Sequence, residues 1–418
     1  MRRGLPSLLA SMLLLIWAFL ACEVSRAQDL ALVGAKIYPS PAGVAIEGGT
    51  ILVHDGRIAT VGPSAAAKIP KDATVLSCRG LVVTAGFWNS HVHIFLPGLL
   101  HAEKLSSEQI TKQLDEVLTR WGFTTVFDIA SVLKNTELIR QRIESGQVKG
   151  PRILTVGEPF WTKGGTPVYV KDFLAANRIV IPEVESSAQG VARVRQQIHD
   201  GADGIKIFAG SIERGGILLM PLEVAKAIVA EAHREGKPVF AHPSNGKGIE
   251  IAIQSGVDIL AHPSTDGNPF TQELIQRMKT QHMALIPTLT LLDVEGKKGN
   301  VPPADIERWI NMAVQEVKAY SDAGGQILFG TDVGYIDQFD TTEEFTLMAR
   351  AGMDFRQILA SLTTNPAARF GSAAHSGNIA KGMDADLVVL RADPSLDPAA
   401  FAKVKYTIRG GKIIHSEP

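Results

Sequence analysis

A chain of 418 residues that is 45% hydrophobic, with 42 basic against 43 acidic residues, is long enough to fold around a large core. That apolar content excludes a disordered chain. The balanced charge gives no electrostatic case for a nucleic acid or an acidic membrane surface as partner. The expected class is a soluble globular enzyme with a small-molecule substrate, and a homo-oligomer is compatible with it.

In chain order, Arg2 and Arg3 precede an apolar run from Leu8 to Cys22, and Ser25-Arg26-Ala27 offers small residues where a signal peptidase reads. Residues 1–27 are expected to be a signal peptide, exporting a mature chain that begins at Gln28 to the periplasm or the medium. The run is too short for a comfortable membrane span. Phe19-Leu20-Ala21-Cys22 allows a second reading, an imperfect lipobox with a lipid anchor on Cys22. Cleavage after Ala27 leaves Cys78 as the one remaining cysteine and excludes an internal disulfide.

Residues 28–83 carry short alternating strands: Ala31–Tyr38, Thr50–Val53 and Ile58–Val61, with Asp55-Gly56 as a hairpin signal. Residues 379–418 repeat the style in Ala385–Leu390, Tyr406–Ile408 and Lys412–Ile414. Both ends are expected to build one small β-sandwich.

Between them, residues 84–378 alternate strands with helical patterns, which argues for βα units. Helices are expected over 107–121, 135–145, 189–200, 221–235, 271–280, 303–323 and 355–368. Pro221 and Pro303 suit a first turn, and Gly236 and Gly324 suit ends. Strands two, three and seven fall at Thr124–Asp128, Arg152–Val156 and Ala284–Thr288. Glu158–Pro182 and Leu292–Pro302 read as long loops near a site. Asp128 and Asp203 read as caps or turn residues without chemistry.

Six polar residues stand in or at the ends of apolar runs: His91 and His93 after Leu81–Ser90, Lys206 in Gly204–Phe208, His242 after Pro238–Ala241, His262 after Ile259–Ala261, and Asp332 after Ile327–Thr331. Strand ends of this kind are where a parallel β/α barrel places its active site. Neutral imidazoles and a carboxylate suit zinc. Positions i and i+2 of a strand face one way, so His91 and His93 can chelate together. A buried lysine loses pKa through desolvation. Its neutral amine can add carbon dioxide, and the resulting carbamate can bridge two metals about 3.5–4 Å apart.

In order, these motifs are H-x-H at His91-Val92-His93, G-x-K at Gly204-Ile205-Lys206, the strand-end His242 and His262, and Thr331-Asp332. The chain resembles the amidohydrolase superfamily, in the binuclear branch with a carboxylated lysine. Within it, the chain is similar to the imidazolonepropionase-like and metal-dependent Xaa-Pro or Xaa-Arg dipeptidase group. The first-strand signature of that family ends in D-x-H-x-H, and here Asn89 holds the aspartate place. Gly382–Leu387 matches the family's G-x-x-A-D-L element.

The resemblance implies a (β/α)8 TIM-like barrel with the small domain attached. It implies His91, His93 and Asp332 on one divalent ion, expected to be zinc, with His242 and His262 on a second and a carbamate on Lys206 between them. It implies hydrolysis of an amide-like C–N bond, linear or cyclic, for instance in a dipeptide or an N-acyl amino acid. A metal-bridging hydroxide would attack, and Asp332 would act as the catalytic base and then acid. Lactone or phosphotriester hydrolysis on the same metals is the alternative, and a catalytically silent binding homologue is a third reading. Trp161, Arg214, Asn245, Lys247 and Tyr335 are expected to touch substrate, within a wider set that includes Phe95, Tyr169, Ser211, Thr265 and Asp266. The sequence His242-Pro243-Ser244-Asn245 lacks the tyrosine that dipeptide-cleaving relatives often carry there, and strand six lacks their Glu-His pair.

Overall fold

A computed structural model describes residues 29–66, 68–264 and 270–417. The expected signal peptide with Cys22, and the pocket residues Thr265 and Asp266, lie outside the described residues. No helix among the described residues is long and apolar enough to cross a membrane.

Eight parallel strands form the barrel: β1 (Phe87–Val92), β2 (Phe123–Asp128), β3 (Arg152–Thr155), β4 (Ile205–Phe208), β5 (Val239–His242), β6 (Ile259–Ala261), β7 (Ala284–Ile286) and β8 (Gln326–Ile327). The ladder runs unbroken from β1 to β3 and from β4 to β8. Irregular segments carry the two seams. Phe160 N–H donates to Lys206 O at 2.8 Å, and Phe208 N–H donates to Phe160 O at 3.0 Å. On the other side, Ser90 N–H donates to Phe329 O at 2.7 Å, and Asp332 N–H donates to His91 O at 2.9 Å. The last strand thereby meets the first.

Alternation along the strands sorts the core into two layers. Phe127, Phe240, Ile259, Ala261, Ala284, Ile286 and Leu328 pack together inside the barrel, and Phe370 packs against them. Their neighbours Val126, Ile205, Ile207, Val239, Leu260, Leu285 and Phe329 pack outward against helices. Buried Lys206, between Ile205 and Ile207, falls on the inner parity.

Strands from both chain ends join as expected, in a domain with its own apolar core of Leu32, Ile37, Ile51, Val83, Leu387, Val389 and Ile408. Among the described residues, eight strands of this domain are hydrogen-bonded into one continuous sheet. Strand Val82–Ala85 is the reason, because it pairs with Leu30–Ile37 on one side and Leu387–Leu390 on the other. Asp55-Gly56 is the expected hairpin turn, with φ of 48° and 75° at the two residues.

Helices occupy Ser107–Val117, Leu133–Glu144, Ser187–His199, Leu222–Arg234, Gln272–Thr280, Pro303–Asp322 and Phe355–Leu362, close to expectation. The turn at Thr363 ends the last of these, and Thr364–Arg369 follows as a separate helix. Pro221 caps its helix from outside, and Pro303 opens its own. The two expected loops need correction, since helix Val168–Ala176 lies inside the first and helix Thr290–Lys298 enters the second. Helices Gly246–Ser255 and Thr342–Arg350 were also without a sequence expectation.

Asp128 is a fully buried structural hub at the end of β2. Its carboxylate accepts from Ile94 N–H at 3.2 Å, from the Thr155 hydroxyl at 2.9 Å, from the Thr136 hydroxyl at 3.1 Å and from the Ser131 hydroxyl. It thereby ties together the ends of the first three strands. Asp128→Ala leaves several buried donors unpaired, and a loss of about 3 kcal/mol or more is expected. Chemical denaturation of the variant against the parent measures it, and an unchanged midpoint would refute the hub.

Candidate active site

The six singled-out residues meet at one end of the barrel. His91, His93, Lys206, His242, His262 and Asp332 all line a single cavity of about 610 Å³. His91 belongs to β1, where the four residues from Asn89 to Val92 run opposite the three from Val126 to Asp128. This irregularity is a bulge, a device that re-aims a side chain. Asn89, at the place the family gives to aspartate, is buried and donates from Nδ2 to Thr331 Oγ1 at 2.8 Å, while its Oδ1 accepts from His91 N–H at 3.2 Å. Asn89 therefore joins β1 to the segment that carries Asp332.

Two of the six depend on unusual backbone. In a regular strand His262 would follow inward Ala261 by facing outward. Its φ of 75° breaks that parity, and its ring lies 4.8 Å from the His91 ring and 4.9 Å from the His242 ring. Asp332 has φ of 62°. Each such non-glycine conformation costs on the order of 1–3 kcal/mol and clusters at functional sites. Gly330 makes the close approach of β8 to β1 possible, because a Cβ there would lie 2.3 Å from Ile286 Cγ2 and 2.7 Å from His91 Cβ.

The polar atoms crowd in a way that calls for a cation. His91 Nε2 and His93 Nε2 are 3.3 Å apart, and both face Asp332 Oδ1, at 3.1 and 2.7 Å. His93 Nδ1 lies 2.8 Å from Ala130 O, a pure acceptor, so Nδ1 carries the proton and Nε2 presents a lone pair to the carboxylate. The Thr288 hydroxyl donates to Pro287 O at 2.8 Å, so its oxygen accepts from His262 Nδ1–H at 2.5 Å. His262 Nε2 is thereby a lone pair as well, 3.8 Å from Asp332 Oδ2. His91 Nδ1 is buried without a protein partner.

Burial sets the protonation states. It lowers His91 to about 4 and His242 to about 3, and it holds His262 well below the usual imidazole range. All three are neutral near pH 7. Burial brings Lys206 down to about 7, against the pull of Asp332. For Asp332 burial acts upward, but the contact with His91 outweighs it and holds the carboxyl well below its usual range. Neutral imidazoles, an ionised carboxylate and a neutral amine are a donor set that fits divalent ions. His91, His93 and Asp332 form a cluster with ligand atoms within 4.8 Å of one another.

The comparisons with known proteins agree with the geometry. Residues 82–414 match the family model described as the amidohydrolase family. The chain belongs to the amidohydrolase family. It is accordingly a hydrolase acting on C–N bonds. An ochratoxinase from Aspergillus niger is 25% identical over 421 residues, spanning 89% of this chain and 84% of that protein. An imidazolonepropionase from Thermoplasma acidophilum is 25% identical over 88% of this chain and 90% of that one. The structure of a Xaa-Pro dipeptidase with bound methionine shares the fold at TM-score 0.79 and 23% identity, over 93% of this chain and 100% of that chain.

Around the six residues, this amidohydrolase is walled by apolar groups. Phe95, Trp161, Tyr169 and Tyr335 line the cavity as expected. Arg214, Asn245 and Lys247 are not among the described residues that line it. Arg214 is exposed beside the turn of the hairpin Gly210–Glu213/Gly216–Leu219. Lys247 is exposed in the first turn of its helix, and Asn245 is engaged as N-cap, its side chain accepting from Gly248 N–H at 2.9 Å. Ser211 is buried outside the lining.

Sequence reasoning missed Phe173 and Leu174 on helix Val168–Ala176, and Leu291, Leu292, Glu295 and Lys298 on helix Thr290–Lys298. Signals existed for both. Tyr169 and Phe173, and Val170 and Leu174, stand four apart, as do Asp293 and Lys297, whose ion pair spans 2.5 Å.

Thr288 fixes the His262 tautomer, so Thr288→Val is expected to weaken divalent-ion binding about 10–100-fold, as losses of such outer partners do. Competition with a chromophoric chelator measures this. Unchanged affinity would mean that the hydroxyl does not orient the ring.

Proposed function

We propose that this amidohydrolase cleaves an amide-like C–N bond, linear or cyclic, at a site for two divalent ions bridged by a carbamate on Lys206. The observation that carries the reading is the convergence of four imidazoles, Lys206 and Asp332 on the floor of one apolar cavity. His91, His93 and Asp332 would hold one ion, and His242 and His262 the other, with zinc the best match to the donors. Ions held there supply Lewis acidity toward the substrate carbonyl and acidify a water.

The chain's own residues do the rest. With its pKa brought down to about 7 by burial, Lys206 has a substantial neutral fraction near neutral pH. Its nitrogen bonds to the carbon of carbon dioxide and releases a proton, which turns a cation into an anion between cations. Asp332, held well below the usual carboxylate range, stays ionised, so it accepts the proton of the attacking water. The water oxygen bonds to the acyl carbon, the C–N bond breaks, and Asp332 returns the proton to the leaving nitrogen. Burial, reinforced by carboxylates, pushes the Tyr169 and Tyr335 hydroxyls far above neutrality and keeps them hydrogen-bond donors.

Elemental analysis of the purified protein is expected to find close to two divalent ions per chain. Lys206→Ala should lose metal and activity together, by more than the roughly 10–100-fold cost of an outer partner. Added acetate or propionate should restore part of both, and Lys206→Arg should restore neither, because a guanidinium stays charged. Full hydrolytic activity in a metal-free wild-type chain would overturn the reading. A screen over amides, lactones and phosphotriesters separates the amide from the other two ester-like classes.

Export is proposed from the sequence of residues 1–27. Intact-mass analysis from the native host should find a chain starting at Gln28, and retained Met1 would refute it.

A further inference from the structure

The amide reading leaves open which amides fit, and the wall of the cavity bears on that. Trp161, Leu174, Ile181 and Phe208 form a separate buried apolar cluster, with Phe95, Val170, Phe173 and Ile179 packed against it. Trp161, Phe208, Phe95, Leu174 and Ile181 also line the cavity, so the cluster is one of its walls. Ile212 continues that wall to the surface. It lines the cavity and is 43% exposed. Ile217 stands opposite Ile212 in the hairpin register and is 38% exposed. Large aliphatic side chains left in water beside a cavity mark a place where apolar surface is covered on binding.

The hairpin is held in place. Glu213 pairs with Lys171 of helix Val168–Ala176 at 2.7 Å. The Ser244 hydroxyl donates to Gly210 O at 2.9 Å. Charge is scarce in the same wall. Outside the six site residues, the charged groups among the described lining are Glu295 and Lys298. They are 3.2 Å apart, and Lys298 lies over the Tyr335 ring at 5.3 Å. Each already has its counter-charge, so neither stands ready for a substrate carboxylate or ammonium. A free dipeptide carries both charges, and an unpaired charge is costly to desolvate.

We propose that the preferred substrate is an amide with a large apolar acyl group and no charge next to the cleaved bond, and that the apolar group lies along Trp161, Phe208 and Ile212 and leaves over the Gly210–Leu219 hairpin. This rests on the amide-hydrolase reading above. Hydrolysis adds water across the C–N bond and releases a long-chain carboxylic acid and an uncharged-side amine. Each buried methylene contributes about 0.8 kcal/mol of binding at most, near a factor of four.

The test uses full-length, metal-loaded enzyme and the 4-nitroanilides of acetic, butyric and octanoic acid, with free Ala-Pro and Ala-Arg dipeptides alongside. The expected kcat/KM rises at least about tenfold from acetyl to octanoyl and exceeds that for either dipeptide. In Ile212→Ser and Ile217→Ser the octanoyl-to-acetyl ratio should fall about threefold or more, a readout that cancels any general loss of activity. Both positions are exposed, so folding tolerates the changes. Anilide hydrolysis that is flat in chain length, or a preference for the dipeptides, would overturn this inference and leave the amide reading intact. Hydrolysis of no amide by metal-loaded enzyme would overturn both.

Discussion

The constraint on which the rest depends is electrostatic. Four imidazoles, an amine and a carboxylate are gathered, largely buried, at one end of the barrel, and His91 Nε2 and His93 Nε2 converge on Asp332 Oδ1. Without a cation, the His93 lone pair faces a negative oxygen at 2.7 Å, an arrangement that a bound cation relieves. The protein sets up this unfavourable arrangement and holds it through rigid strands, the Asn89 link, the Thr288 hydroxyl and the Ala130 carbonyl. The same burial keeps His91, His242 and His262 unprotonated, which is what a divalent ion requires of its imidazole ligands.

How far the sequence revealed this depended on what each residue had to stand out against. His91, His93, Lys206 and His242 were legible because a polar residue interrupts an apolar run whose other members must be buried on both faces. His262 was legible as a strand-end residue only. Its parity points the wrong way, and the positive φ that corrects it leaves no trace in the amino-acid order. The pairing of the two chain ends was legible from strand patterns, but the union of their strands in one sheet was not, because it depends on Val82–Ala85 pairing on both edges. The placement of Arg214 and Lys247 was not legible either: charge near a strand end suggests a ligand partner, and three dimensions place both, exposed, outside the cavity lining.

The helices over the cavity were illegible in a different way. Val168–Ala176 and Thr290–Lys298 are short, and each sits inside a stretch with several glycines and prolines that reads as loop. Isolated helices of this length are marginal in water, and tertiary packing is what makes them helical. They are also the elements that bring Tyr169, Phe173, Glu295 and Lys298 to the cavity. The catalytic floor therefore comes from the parts of the chain whose structure is fixed by strong local patterns. The walls come from parts that take shape only on the finished scaffold.

The seam between β8 and β1 has a consequence for the order in which the molecule becomes an enzyme. His91 and His93 stand on one side of that seam and Asp332 on the other, with Asp332 N–H donating to His91 O across it. Their cluster cannot exist in a chain whose barrel is still open, however complete its individual βα units. Closing a loop of that length is among the slow, entropically expensive events of folding. The strand pair Val82–Ala85 and Leu387–Leu390 lies just outside this seam and joins the segments on either side of the barrel. The small domain thus works as a clasp: in the folded chain it holds the two ends of the barrel segment side by side, next to the seam across which His91 and His93 face Asp332.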